Sequence, residues 1–121
     1  MKKVFYYTDV LPLLSKKEVA LEKIKYNLGV FEENKEEVQL IWHPYLRMEE
    51  YLIKNESPLL DAYLSIVEDF KSAGWGKLDD SEDPIATLAS CDAYYGDVSD
   101  LVYYANENKK PAMLINYDCL G

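Results

Sequence analysis

Apolar residues along this chain switch repeatedly between two patterns, short continuous runs and positions spaced three or four apart. Residues 3–8 are a β-branched and aromatic run closed by Thr8, which predicts a buried strand. Ser15-Lys16-Lys17-Glu18 has the spacing of a capping box, in which the serine hydroxyl and the glutamate each satisfy one unpaired amide at a helix start. A helix is therefore predicted from that point. Leu21, Ile24, Leu28 and Phe31 recur at helical spacing, and Lys16, Lys17, Lys23, Lys25, Glu32 and Glu33 fill most of the polar positions. Gly29 weakens this helix by up to about 1 kcal/mol relative to alanine, so packing has to hold that turn.

The same alternation continues to the end. Residues 38–42 predict a second strand, and His43-Pro44 ends it because proline has no ladder donor. A short helix is expected over 47–54. Ser57-Pro58 then supplies a cap and a first-turn proline, and Gly74 closes a helix whose inner face is Leu59, Tyr63, Val67 and Phe70. Residues 75–78 predict a short third strand, and Asp83-Pro84 opens a brief helix through Leu88. Residues 92–95 predict a fourth strand, 96–99 a tight turn, 100–106 a helix and 112–117 a fifth strand. No Asn-Gly hairpin signal lies between strands. The pattern predicts one α/β domain over residues 1–121, a parallel sheet of about five strands with helices on both faces. The acidic stretch Asp79-Asp80-Ser81-Glu82-Asp83 is too short to divide the chain and reads as a loop.

Composition narrows the class further. Apolar residues are 49% and charged residues 29% of the 121, close to the globular norm. The apolar stretch after Lys2 and Lys3 is too short for a signal peptide and is broken by Asp9, and no segment approaches the roughly eighteen apolar residues of a membrane helix. A cytoplasmic protein with no transmembrane segment is the expectation. The net charge of -9 argues against nucleic acid and anionic lipid, since both attract basic surface. Cys91 and Cys119 form no CxxC pair and have no histidine near them, so both read as small buried hydrophobes. Eleven tyrosines suit half-buried positions where the ring packs and the hydroxyl stays wet.

In an open parallel sheet, ligands bind beyond the carboxyl ends of the strands, where the strand order reverses. That rule selects Thr8 and Asp9, His43-Pro44-Tyr45, Asp79-Asp80, and Gly96-Asp97-Val98-Ser99-Asp100. In the last group Gly96 permits close backbone approach and Ser99 stands where helix amides point outward, a combination suited to phosphate. Two observations oppose it: Ser99 is sufficiently explained as a helix cap, and Asp97 and Asp100 put negative charge beside the anion. His43 is the only histidine, and an imidazole suits acid or base work near neutral pH. The competing reading is a surface ring before a turn proline. Asp79, Asp80, Glu82 and Asp83 lack the alternating spacing and central glycine of a calcium loop, so a solvated loop with a helix cap is the better account of them.

Four segments carry a resemblance: VFYYTDVLPLL at the start, LIWHPYL after the second strand, GWGKLDD at the third, and SCDAYYGDVSDLVYYANENKKPAMLIN over 90–116. Over nearly its whole length the chain resembles the CDP-glycerol glycerophosphotransferase-like family, in particular the donor-nucleotide half of its two-domain, GT-B-type glycosyltransferase fold. The resemblance implies a three-layer Rossmann-like domain that binds a nucleotide-diphosphate donor such as CDP-glycerol or a nucleotide sugar, with no separate cofactor. It gives Ser99 and the amides after it the donor pyrophosphate, with Thr8, Asp9, Gly96, Asp97 and Asp100 on the same rim, and it makes His43 the catalytic candidate. The family pattern of an Asp, one residue, a Ser-Ser pair and a later Lys-Pro is matched by Asp97, Ser99, Lys110 and Pro111, while Asp100 replaces the second serine. In the family's Trp-Arg-Pro-His-Pro pattern Trp42 and Pro44 match, His43 replaces the arginine, and Tyr45 falls on the histidine. A one-step slip of the loop would let His43 serve.

Family enzymes carry the acceptor on a second domain, for which 121 residues leave no room. The expectation is a donor-binding domain incomplete for transfer, which needs an acceptor domain or pairs as a homodimer; the alternative is a non-catalytic interaction module. A phospho-receiver domain shares the alternating plan but needs a lysine after the last strand, where Asn116-Tyr117 stands.

Overall fold

In the computed structural model, which describes residues 2–115, the apolar runs join into one five-stranded sheet. The strands are β1 (Lys2–Thr8), β2 (Val38–Pro44), β3 (Lys77–Leu78), β4 (Ala93–Gly96) and β5 (Ala112–Leu114). Their order is β3-β2-β1-β4-β5, and every neighbouring pair is parallel. The helices are α1 (Val10–Ser15), α2 (Glu18–Glu33), α3 (Met48–Lys54), α4 (Leu60–Ala73), α5 (Pro84–Ala89) and α6 (Asp100–Glu107). This is the three-layer, Rossmann-like α/β architecture expected from the alternation of periods.

Successive side chains of a strand point to opposite faces, so the central strands feed two separate cores. Tyr6, Leu40 and Trp42 pack with α1 to α4 through Leu13, Leu21, Ile24, Met48, Tyr63 and Phe70. Phe5, Tyr7, Ile41 and Tyr94 face the other way and pack with Leu88 of α5 and Leu101 and Ala105 of α6. The layers are unequal: four helices cover one face, and two short ones cover the other. Cys91 is buried in the thinner layer, as its sequence context predicts, and burial raises its thiol pKa. Cys119 lies outside the described residues, as do Asn116 and Tyr117 of the predicted fifth strand.

Three local expectations need correction. The Ser15-Glu18 capping box does not form: Ser15 is the last residue of α1, and its hydroxyl donates to the Leu11 carbonyl at 3.2 Å. Helix α2 starts instead after Lys17 at φ 51°, with no side-chain cap, and the amides of Val19 and Ala20 donate to the carbonyls of Lys16 and Lys17. The chain must turn sharply between α1 and α2, and that turn occupies the residues the box required. Second, β2 continues through His43 and Pro44, because Tyr45 N–H donates to Thr8 O at 2.8 Å and completes the ladder beyond the proline. Third, Ile66 is the buried neighbour on α4, with Val67 only partly covered.

Gly96 shows how closely β1 and β4 approach. It adopts φ +156°, and a Cβ there would lie 2.2 Å from the Tyr7 carbonyl oxygen and 2.8 Å from its nitrogen. Both atoms belong to backbone inside the sheet and have little freedom to move. Gly96→Ala is expected to destabilise the domain by about 2 kcal/mol or more, read as a lower urea midpoint; an unchanged midpoint would show that the two strands separate there at little cost.

Candidate functional site

The chain lays down β1, β2 and β3 outward in one direction, then crosses back to place β4 and β5 on the far side of β1. The strand order therefore reverses between β1 and β4, and the loops leaving them, Asp9 and Asp97 to Ser99, diverge at the carboxyl edge. Two carboxylates, buried Asp97 and partly buried Asp9, tie these loops together. Asp97 Oδ2 accepts from Asp9 N at 2.7 Å, and Asp97 N donates to Tyr7 O at 3.1 Å. Asp9 Oδ1 caps α1 by accepting from Val10 N at 2.8 Å, and it also accepts from the Tyr7 hydroxyl at 3.2 Å. Burial, followed by the Asp9 charge, raises the Tyr7 pKa, so this phenol stays a donor at physiological pH.

Ser99 is held in the same way. The Tyr94 hydroxyl donates its one hydrogen to Asp97 O, so in its 3.1 Å contact with Ser99 the serine is the donor. Ser99 Oγ accepts from Leu101 N at 3.3 Å, which caps α6. The hydroxyl is thus engaged on both sides, and what α6 offers a ligand is its backbone start. Thr8 is buried, with its Oγ1 accepting from Trp42 Nε1 at 3.1 Å, on the four-helix side of the sheet. Asp100 is exposed in the first turn of α6.

A cleft of about 550 Å³ opens on the two-helix side, more than twice the roughly 220 Å³ of the groove between α2 and α4. Its volume lies in the range of small-molecule sites. Tyr7 and His43 from adjacent strand ends, Ser99 and Asp100 from α6, Pro84 from α5 and Arg47 from the start of α3 all line it. Of the candidate segments it brings together His43 and Tyr45 at the end of β2 and Ser99 and Asp100 at the start of α6, beside Tyr7 of β1 and Glu82 and Asp83 of the acidic loop. Gly96, Asp97, Thr8 and Asp9 lie behind it as scaffold rather than in its wall.

His43 is not a surface ring. It stands opposite Tyr7 in the β1–β2 register, is 2% exposed, and stacks on Phe5 at 5.6 Å and Tyr7 at 6.1 Å between ring centroids. Its Nδ1 lies 2.9 Å from Asp79 Oδ2. Asp79 is likewise not a solvated loop residue: it is 8% exposed, its amide donates to Trp42 O at 2.8 Å, and Ser81 Oγ donates to its Oδ2 at 3.0 Å. Burial pushes its pKa up, but hydrogen bonds from His43, Thr87 and Ser81 outweigh burial and hold it below the ordinary 3.8. Asp83 caps α5 by accepting from Ala86 N at 3.2 Å, so the acidic loop divides its carboxylates between separate tasks.

Sequence reasoning selected Asp79 as a strand-end candidate but not as the partner of His43, because that pairing depends on β3 lying beside β2. It passed over one residue of the wall, Arg47. Arg47 is the only arginine of the chain, and among the charged residues that line the cleft it is the one cation, facing Glu82, Asp83 and Asp100.

Fold and cleft together define the class: a Rossmann-like α/β domain with a cleft at the carboxyl edge of its parallel sheet. No family model, curated protein or solved structure matches the chain. Among the described residues, no helix is long and apolar enough to cross a membrane.

The Asp79–His43 pair has a defined pH signature. Because the folded carboxyl has a pKa below 3.8, its stabilisation is complete above that value and is lost as pH falls through the lower folded one. Asp79→Asn should cost about 1.5–3 kcal/mol at pH 7, the scale of a hydrogen bond to a charged group. The gap between the two urea midpoints should narrow as pH falls below 4. A gap that widens in acid would reverse the assigned sign.

Proposed function

We propose that this domain binds a nucleotide-diphosphate donor, CDP-glycerol or a nucleotide sugar, and does not complete transfer by itself. The observation that carries the reading is the cleft at the reversal of strand order, where the start of α6, the His43 ring and the Arg47 side chain border one small-molecule-sized space. The resemblance of residues 90–116 to the CDP-glycerol glycerophosphotransferase-like family supplies the ligand class. Backbone amides at the start of α6 favour a diphosphate, and Arg47 adds a fork of donors suited to its oxygens. Asp100, Glu82 and Asp83 on the same wall oppose it, so the domain binds the donor weakly and leaves transfer to a partner that brings the acceptor and further cations.

Calorimetric titration with CDP-glycerol and CDP tests this directly. Binding is expected in the high-micromolar to millimolar range, and Asp100→Asn should tighten it roughly two- to fivefold, the worth of one charge at a helix start. Absence of heat at millimolar nucleotide, for both the parent and the Asp100→Asn chain, would dispose of the donor reading.

A second reading, a non-catalytic interaction module, is favoured by a different observation. Leu46 and Ile85 on the cleft wall and Val98 in the loop before α6 are 45%, 48% and 70% exposed. Exposed apolar side chains around a cleft suit coverage by another domain or a second copy. Sedimentation at high micromolar concentration should show a dimer that Val98→Glu dissociates; a monomer throughout would remove self-association.

A further inference from the structure

His43, the chain's single histidine, lines the cleft and meets the buried carboxylate of Asp79 through Nδ1, a geometry that is asymmetric in an informative way. We infer that Asp79 is a positioning residue that holds His43 with Nδ1 protonated and turns the Nε2 lone pair into the cleft, where it accepts a hydrogen bond from a sugar or polyol hydroxyl of the ligand.

Three observations lead there. First, Asp79 Oδ2 accepts from Ser81 Oγ at 3.0 Å while meeting His43 Nδ1 at 2.9 Å. An ionised carboxylate has only acceptor sites, so the shared hydrogen belongs to Nδ1, and in the neutral ring Nε2 then carries none. The depressed Asp79 pKa agrees with that ionised state. Second, no buried side-chain nitrogen or oxygen among the described residues lacks a partner, and Nε2 has no partner among those residues. Nε2 is therefore not sealed inside the protein; it reaches the open space that His43 lines. Third, the ring cannot easily swing away, because Phe5 and Tyr7 stack on it at interplanar angles of 23° and 22°.

The surroundings select the class of partner. The carboxylates of Glu82, Asp83 and Asp100 on the cleft wall offer acceptors, which cannot serve a lone pair. A phosphate oxygen cannot serve it either. A hydroxyl can, and a donor nucleotide carries hydroxyls on its ribose and on its glycerol or sugar. That identification of the ligand rests on the nucleotide-donor reading; the tautomer does not.

Because the chain contains a single histidine, labelling the whole protein with ¹⁵N-histidine yields one pair of ring resonances. At pH 8 without ligand, long-range ¹H–¹⁵N spectra should show a pyrrole-like Nδ1 and a pyridine-like Nε2. A pyrrole-like Nε2 would overturn the positioning role. Asp79→Leu, with the same branching at Cγ and unable to accept, should shift the ring toward the Nε2–H tautomer that a free imidazole prefers. An unchanged tautomer in the folded variant would count equally against Asp79, and if that variant does not fold, the parent spectrum alone decides. Adding CDP-glycerol to the parent should move the Nε2 resonance and leave Nδ1 in place. In a uniformly ¹⁵N-labelled sample, movement of the Tyr7 and Ser99 amides without movement of Nε2 would refute the hydroxyl contact while leaving nucleotide binding intact. With no movement anywhere, the nucleotide reading and the hydroxyl contact fall together, and the ligand-free tautomer still reports on Asp79.

Discussion

Parallel pairing of β1 with β2 on one side and β4 on the other is the constraint that sets the rest of this structure. It levels Tyr7 with His43 and with Gly96, so three segments far apart in sequence end at one edge. The pleat then assigns alternate residues to opposite cores: Tyr6 and Trp42 go to the four-helix side, and Tyr7 and His43 to the two-helix side. A register shift of one residue on β2 would send His43 to the crowded face and Trp42 toward the cleft. The cleft exists on the thinner face because α5 and α6 are short and leave the strand ends uncovered.

Charge is handled differently in the loops and in the cleft wall. Asp9, Asp97 and Asp79 are each held by amides, hydroxyls or an imidazole, so their negative charge is used to fix loop geometry. Asp100 and Glu82 stay exposed, and Asp83 caps α5 from an exposed position, so these three give the mouth its acidic character. A chain of net charge -9 can therefore keep the side chains behind its cleft hydrogen-bonded while the rim repels free anions. Any diphosphate entering it depends on backbone dipoles and Arg47 to offset that rim.

Local signals read from the chain succeeded where one short-range interaction decides the outcome. Asp83 before Pro84, Ser99 before Asp100 and Gly74 at φ 74° mark helix ends because cap chemistry acts over three or four residues. They failed where a turn competed for the same residues: the apparent capping box at Ser15 lies in the bend between α1 and α2, and α1 itself went unpredicted. Proline at 44 was read as a strand end, yet its missing donor is harmless at the last rung.

The sequence by itself determined the order of the five strands, the helices between them other than α1, and the parallel plan, since each follows from periodicity and from local turn and cap chemistry. Tertiary structure alone decided that β4 lies beside β1, that His43 is buried, and that Asp79 is its partner 36 residues away. Those outcomes depend on the lateral order of strands and on which face each side chain takes. Neither is fixed by neighbours in the chain; both are set when the two cores close on the sheet.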